Sequence, residues 1–184
     1  MDQETVWIRK IASGDRAAFE ELFLAYKRRL LGYLYRMTGD AARAEELASD
    51  VLVEVWKSAG RFQARSSVST WIFGIAHHKA VDELRRRSGQ GTSVEVPEDL
   101  VDSAESPERA AIVDDRNIRL RAVLQQLTPE HREVLELTFF QGRLVEEIAG
   151  ILSCPVNTVK TRMFYARKKL RELLVAAQLG EEML

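Results

Sequence analysis

The sequence predicts an all-α protein: two small helical domains joined by a flexible acidic linker. Three observations predict it. Apolar residues recur at helical spacing through most of the chain, and no alternating stretch of strand length interrupts them. The breaks between these stripes carry cap and breaker chemistry: Gly14-Asp15, Gly39-Asp40, Thr128-Pro129 and Ser153-Cys154-Pro155. Between Ser88 and Ser106 lie Gly89, Gly91, Pro97, four Ser and five acids with no base, a composition that cannot bury enough apolar surface to fold alone. The domains are therefore expected at 1–87 and 107–177, with the linker at 88–106. At 184 residues and 46% hydrophobic, the chain has material for two packed cores.

The elements follow in order. Residues 3–13 read as a short amphipathic helix, and Asp15 is placed to cap the next. Phe19, Leu22, Phe23, Tyr26, Leu30, Leu34 and Met37 form the stripe of a long second helix. The third, about 41–58, buries Ala44, Leu47, Ala48, Val51 and Val55, leaving Glu46, Ser49, Val53 and Trp56 on its other side. Large apolar groups on a charged face suggest a contact patch, although Trp56 is equally able to fold back onto a neighbouring helix. After a polar loop at 60–69, a helix over 70–87 has Ile72, Ala76, Ala80 and Leu84 as its core line, with Trp71, Gly74, His78 and Arg85 opposite. From Arg61 to Arg87 there are six Lys or Arg and two acids, interleaved with Phe62, Trp71 and Phe73. A positive track with flat rings suits a single nucleic-acid strand, whose phosphates and bases it can meet together; Phe73 reads better as core, and Arg85–Arg87 as facing phosphate or solvent. His77-His78 lacks ligand partners at convincing spacing, so no metal site is expected.

Past the linker, Pro107 opens a helix through Leu127 that turns Ile112, Val113, Leu120, Val123, Leu124 and Leu127 inward. Thr128 caps the next helix and Pro129 takes its first turn, where a missing N–H is harmless. That helix carries Val134, Leu135, Thr138 and Phe139 and stops near Gly142. Val145, Ile148, Ala149 and Leu152 then mark a short helix, and Val159, Met163, Ala166, Leu170 and Leu173 the buried side of a longer basic one. Its opposite face holds Asn157, Thr161, Phe164 and Lys168, flanked by Lys160, Tyr165 and Arg171. Six bases and one acid lie between Lys160 and Glu172. Lys and Arg neutralise phosphates, Thr and Asn hydrogen-bond base edges, and an aromatic ring meets a thymine methyl. Helix, tight turn, basic helix is the helix-turn-helix pattern of a major-groove reader.

Other classes are set aside by what the chain lacks. It has no phosphate-binding Gly-rich loop with Lys-Ser/Thr, no nucleophile elbow and no HExxH, so no enzyme and no cofactor are expected. Cys154 is the only cysteine and reads as inert packing in a turn. The net charge of −1 alone does not suggest nucleic acid; the clustering of bases at Arg61–Arg87 and Lys160–Arg171 does. The first residues, MDQETVW, lack a secretory pattern and no apolar run approaches a membrane span, so no membrane insertion and a cytoplasmic location are expected. A stand-alone helix-turn-helix regulator is the alternative reading, and a helical adaptor a third.

Taken together, the segments resemble the extracytoplasmic-function sigma factors, the small bacterial sigma subunits of RNA polymerase. The resemblance runs from Gly14 to about Leu174. It is carried by GDRAAFEELF, by AEELASDVLVEVWK (Ala44–Lys57), by STWIFGIAHHKAVDELRRR (Ser69–Arg87), and by LTPEHREVLEL followed by EEIAGIL and PVNTVKTRMFYARKKLR. It implies a protein that binds core RNA polymerase, directs it to promoter DNA and helps open the duplex, for a stress or envelope-response regulon, under restraint by an anti-sigma factor. It implies that Glu46, Asp50, Val53 and Trp56 dock on the polymerase. It also implies that Arg61, Phe62, Arg65, Trp71, His78, Arg85 and Arg86 handle the start-proximal promoter element. Asn157, Lys160, Thr161, Phe164, Tyr165 and Lys168 would read the upstream element, and the linker would lie in the channel later taken by RNA. Three positions depart from the family pattern: His78 stands where Asn is usual, Ser153 where the turn usually has Gly, and Tyr165 where a base is common.

Overall fold

In the computed structural model, which describes residues 2–90 and 118–177, every regular element is helical. The first three helices begin on side-chain caps, of which Asp15 and Asp40 are expected from the sequence. Asp2 accepts from the Thr5 N–H at 2.7 Å and opens α1 (Gln3–Ala12). Asp15 accepts from Ala18 N at 3.1 Å and opens α2 (Arg16–Thr38). Asp40 accepts from Arg43 N at 3.0 Å and opens α3 (Ala41–Ser58). Each supplies an acceptor to an N–H that the helix itself cannot satisfy. Gly39 ends α2 in the left-handed region at φ 71°, its N–H bonded to Tyr35 O at 2.8 Å. A short 3₁₀ turn at Ala59–Arg61 leads into the polar loop, and α4 covers Val68–Gln90.

The expected core lines hold in this half. Leu22, Tyr26, Leu30, Leu34 and Met37 of α2 are buried, as are Ala44, Leu47, Ala48, Val51 and Val55 of α3. Ile72, Phe73, Ala76 and Ala80 of α4 complete the packing. Burial of each Leu is worth about 1.5–3 kcal/mol relative to exposure. Three expectations need correction. Helix α4 starts two residues earlier than its periodicity suggests, because Ser67 Oγ accepts from Thr70 N at 3.1 Å and acts as its cap. It also runs to Gln90, three residues past the helix end expected at Arg87. Arg87 faces neither phosphate nor open solvent: it donates to Glu83 at 3.0 Å, to Asp40 at 2.6 Å and to the Thr38 carbonyl at 3.1 Å. Burial opposes ionisation of Glu83, but Arg43, Arg87 and Arg86 outweigh it and hold its carboxyl below the usual range.

In the second half, the described part of α5 spans 118–125, two residues short of the end expected at Leu127, with Val123 and Leu124 buried, Leu120 half-buried and Leu127 buried just beyond it. The expected start at Pro107, with Ile112 and Val113, and the linker beyond Gln90 lie outside the described residues. Thr128 Oγ1 accepts from His131 N at 3.3 Å and opens α6 (Pro129–Leu135), which continues as a π turn, Glu136–Phe140. Then come α7 (Val145–Ile151) and α8 (Val156–Ala176). On this π turn Phe139 is 61% exposed, beneath the Arg167 guanidinium at 5.6 Å. Among the described residues no helix is long and apolar enough to cross a membrane.

The two halves are in contact, and the buried side chains of both join one cluster. Arg132, buried on α6, donates to five carbonyls: Leu124 O, Leu127 O, Gln125 O and Met37 O at 3.0 Å, and Arg36 O at 3.3 Å. The C-terminal ends of α2 and α5 thus share one guanidinium, where helix dipoles favour a cation. Burial without a carboxylate partner lowers its pKa to about 10, so it keeps its charge at neutral pH. Replacing Arg132 by Met leaves those acceptors dry; urea unfolding is expected to show a loss of about 2–4 kcal/mol. The exposed Arg9→Met is expected to stay within about 0.5 kcal/mol of the parent.

Candidate nucleic-acid interface

Helix α8 divides into two sides. Val159, Met163 and Ala166 are buried, with Leu170 and Leu173 packed against the same core. Asn157, Lys160, Thr161, Phe164, Tyr165 and Lys168 are all exposed, Phe164 by 66% and Tyr165 by 53%. The two rings meet edge to face, centroids 5.3 Å apart and planes at 82°, so each limits the other's rotamers. The predicted reading face is therefore assembled on one rigid helix.

The turn before α8 sets its angle. Leu152 ends α7, and Ser153 adopts a left-handed conformation at φ 49°. Cys154 N–H then reaches back to Ala149 O at 3.1 Å, and Cys154 packs against the core. A glycine takes this φ without the clash that Cβ brings, so the departure from Gly at Ser153 places a side chain in a left-handed conformation. At the other end of α7, Glu147 accepts from Leu144 N at 3.0 Å and from Arg143 at 3.1 Å. Replacing Ser153 by Gly is expected to stabilise the protein by about 0.5–1 kcal/mol, seen as a higher thermal midpoint with unchanged helix content.

The start-proximal residues gather around the loop before α4. Phe62 and Trp71 are half-buried against each other, ring centroids 5.1 Å apart at 43°. Arg61 and Arg65 are exposed on either side of Phe62, and between them Ala64 is held left-handed at φ 51°. A non-glycine residue in that region is uncommon and marks a loop whose shape is imposed by its surroundings. His78, Arg85 and Arg86 are exposed along α4, Arg86 with a salt bridge to Glu83 at 2.8 Å. Phe73 is fully buried beneath Tyr33, so it is core and offers no stacking surface.

On α3, Glu46, Asp50 and Val53 are exposed, Val53 by 48%. Trp56 packs edge-on against Phe19 at 5.1 Å and is half-buried, which is the fold-back alternative; only part of its ring remains on the surface. Glu46 pairs with Arg43. A further apolar cleft of about 560 Å³ opens in the C-terminal half, lined by Leu124, Phe139, Phe140, Leu170, Leu174 and Val175. Two of its lining residues, Phe139 and Phe140, stand on the π turn, which the sequence pattern did not indicate.

The contact between the halves was equally invisible in the sequence. Glu133 of α6 accepts from the Tyr33 hydroxyl and contacts His77 Nδ1 at 2.7 Å. Burial first, and the Glu133 carboxylate second, hold the Tyr33 phenol far above its usual range, so it remains a donor. Glu136 is paired with Arg36, one nitrogen at 2.7 Å, and accepts from Gln141 at 3.1 Å. Arg29 donates to Gln141 at 3.3 Å, and Thr70 to Glu147 at 3.4 Å. His77 thus bonds a carboxylate of the other half; among the described residues no three metal-ligating side chains gather.

Known proteins match this arrangement. The family pattern described as Sigma-70 region 2 matches residues 22–90, and Sigma-70, region 4 matches residues 117–170. The chain is 30% identical over 182 residues to the RNA polymerase sigma-H factor of Pseudomonas aeruginosa, covering 94% of each. It is 35% identical over 162 residues to the ECF RNA polymerase sigma factor RpoE of Cereibacter sphaeroides, covering 86% of this chain and 87% of that one. Among solved structures, CnrH in complex with the cytosolic domain of CnrY has the same fold, with a TM-score of 0.71, 24% identity, and coverage of 95% of this chain and 99% of that one. The sigma factor RpoE of Bartonella quintana in complex with the anti-sigma factor NepR gives a TM-score of 0.70 at 24% identity, over 85% and 96%.

Proposed function

Because the chain belongs to the sigma-70 family, among its extracytoplasmic-function sigma factors, and so is a non-enzymatic subunit that directs core RNA polymerase to promoters, we propose which of its faces performs each part of that task. The outer side of α8 reads the upstream promoter element. Lys160, Thr161 and Asn157 meet phosphates and base edges, Phe164 and Tyr165 meet thymine methyls, and Lys168 follows the backbone. The observation that carries this reading is the division of α8 itself: the apolar side is closed in its own core, while two aromatic rings stand exposed among bases. Adjacent exposed rings among bases suit a surface that meets the base edges and phosphates of a duplex.

The start-proximal element falls to the loop and α4: Arg61 and Arg65 on phosphates, Phe62 and Trp71 as the stacking pair, and His78, Arg85 and Arg86 along the strand. Glu46, Asp50 and Val53, with the exposed edge of Trp56, dock on the polymerase. Residues up to Gln90 act as the polymerase-binding and melting unit, those from about 107 to 177 as the upstream reader, and the acidic segment between them lies where RNA later passes. The protein works in the cytoplasm on a stress or envelope-response regulon and is restrained by an anti-sigma factor, a reading supported by the two complexed relatives of like fold. A stand-alone regulator is disfavoured by the two matched regions in this order.

Two substitution experiments test these faces. Lys160→Ala is expected to weaken upstream-element recognition by about 1–3 kcal/mol, measured as promoter binding by the reconstituted holoenzyme. Transcription in vitro left at the parent level by Lys160→Ala combined with Phe164→Ala shows the face to be misassigned. For the polymerase face, Val53→Asp is expected to abolish core pull-down while the circular dichroism spectrum stays that of the parent. Undiminished pull-down removes α3 from the interface.

A further inference from the structure

Five cations converge on a cleft that none of the assigned faces uses. The cleft lies at the edge of the seam between the halves and has a volume of about 560 Å³. Lys27, Arg28, Arg29 and Arg36 line it from α2, and Arg121 lines it from α5. Among the described residues that line it there is no Asp or Glu. Glu136 stands behind Arg36 and offsets that one charge. Lys and Arg side chains only donate hydrogen bonds, so this lining calls for a ligand rich in acceptors. Cations on the walls of a concave site also focus their field into it and draw in an anion.

The guanidinium groups are held in place. Arg36 lies 4.2 Å from the centre of the Phe140 ring, and Arg121 lies 5.6 Å from that of Tyr35. Arg29 lies over the Tyr26 and Phe73 rings at 5.0 and 5.3 Å, and donates to Gln141 at 3.3 Å and to Ser69 at 3.4 Å. Stacking fixes the plane of a guanidinium without using its N–H groups. The bonds of Arg29 and of Arg36 engage two nitrogens each, and a guanidinium carries five N–H donors. A site whose donors are already oriented loses little side-chain freedom on binding. Lys27 and Arg28, by contrast, are exposed at the mouth.

Shape and chemistry together select the ligand. Pockets for small molecules have volumes of about 300–1,000 Å³, and this cleft falls among them. A single nucleic-acid strand needs a long track with rings open for stacking, whereas here Arg36 already lies over the Phe140 ring. One carboxylate satisfies one guanidinium fork. Cations arriving from two helices are matched by several anionic groups on one small molecule, and a chain of phosphates supplies them with strong acceptor oxygens on every phosphorus. Leu24 and Leu31 add an apolar wall, which leaves room for a base beside the phosphates.

We propose that this cleft is a binding site for a polyphosphate anion, a chain of two or more phosphates that is either free or part of a nucleotide. Lys27 and Arg28 receive it at the mouth, and Arg29, Arg36 and Arg121 hold it from the two walls. A bound chain bridges α2 and α5, so it stabilises the folded protein by mass action.

Calorimetric titration of the full-length chain with sodium tripolyphosphate, and separately with ATP, tests the site. Saturable binding of one anion per chain and a raised thermal midpoint are expected. Lys27→Glu combined with Arg28→Glu is expected to weaken binding about tenfold or more while the circular dichroism spectrum stays that of the parent. Arg121→Gln, on the opposite wall, is expected to weaken it about fivefold. Absence of binding by the parent overturns the proposal, and so does parent-level binding by the Lys27→Glu, Arg28→Glu variant. Lys160→Ala with Lys168→Ala is expected to bind the anion as the parent does; loss of binding there places the anion on α8 and overturns the site. An acetylated triglutamate peptide of similar charge is expected to bind about tenfold more weakly than tripolyphosphate. Equal binding shows that the cleft reads charge alone and overturns the assignment to phosphate. Of the two supporting orders, tighter binding of ATP identifies a nucleotide as the source, and tighter binding of tripolyphosphate identifies the free chain.

Discussion

One helical turn, Arg132 to Glu136, sets the relation between the two halves of this sigma factor. Arg132 points its guanidinium at the ends of two helices at once, so the C-terminus of α2 and the C-terminus of α5 are held on a single charge. Glu133 and Glu136, one and four residues on, reach α2 and α4. Three ionisable side chains inside a packed region are costly unless each is fully bonded. Here each one is, and the bonding partners come from both matched family regions. The contact between the halves is therefore specified by hydrogen bonding as well as by the apolar cluster that both halves share.

That distribution of labour leaves the working faces free. The apolar side of α8 and the core lines of α2, α3 and α4 are enclosed by their own neighbours, so the exposed side chains on the outer side of α8 lie outside the core. Substitution there can change recognition without unfolding the protein. Strain is concentrated at two left-handed non-glycine residues, Ser153 in the turn that aims α8 and Ala64 in the loop beside Phe62. Both lie beside the faces proposed to meet nucleic acid.

The all-α class, the caps at Asp15, Asp40 and Thr128, the buried lines of α2, α3 and α8, and the exposed face from Asn157 to Lys168 were all legible in the sequence. Each depends on residues within one or two helical turns, and local chemistry and 3.6-residue periodicity report such features directly. Trp56, Phe139 and Arg87 were less legible. Trp56 had two homes until Phe19 was seen to meet it, the π turn that carries Phe139 has no local signature, and Arg87 was claimed by Glu83 and Asp40 rather than by phosphate.

What the sequence determined by itself is the set of helices, their apolar sides and the chemistry of the faces left over, because those are properties of neighbouring residues. What only the tertiary structure decided is the seam: Tyr33 and Glu133 are a hundred residues apart, as are Arg36 and Glu136. No periodicity links partners at such separation, and a buried carboxylate reads in the sequence as one more exposed acid until the other half of the chain is brought against it.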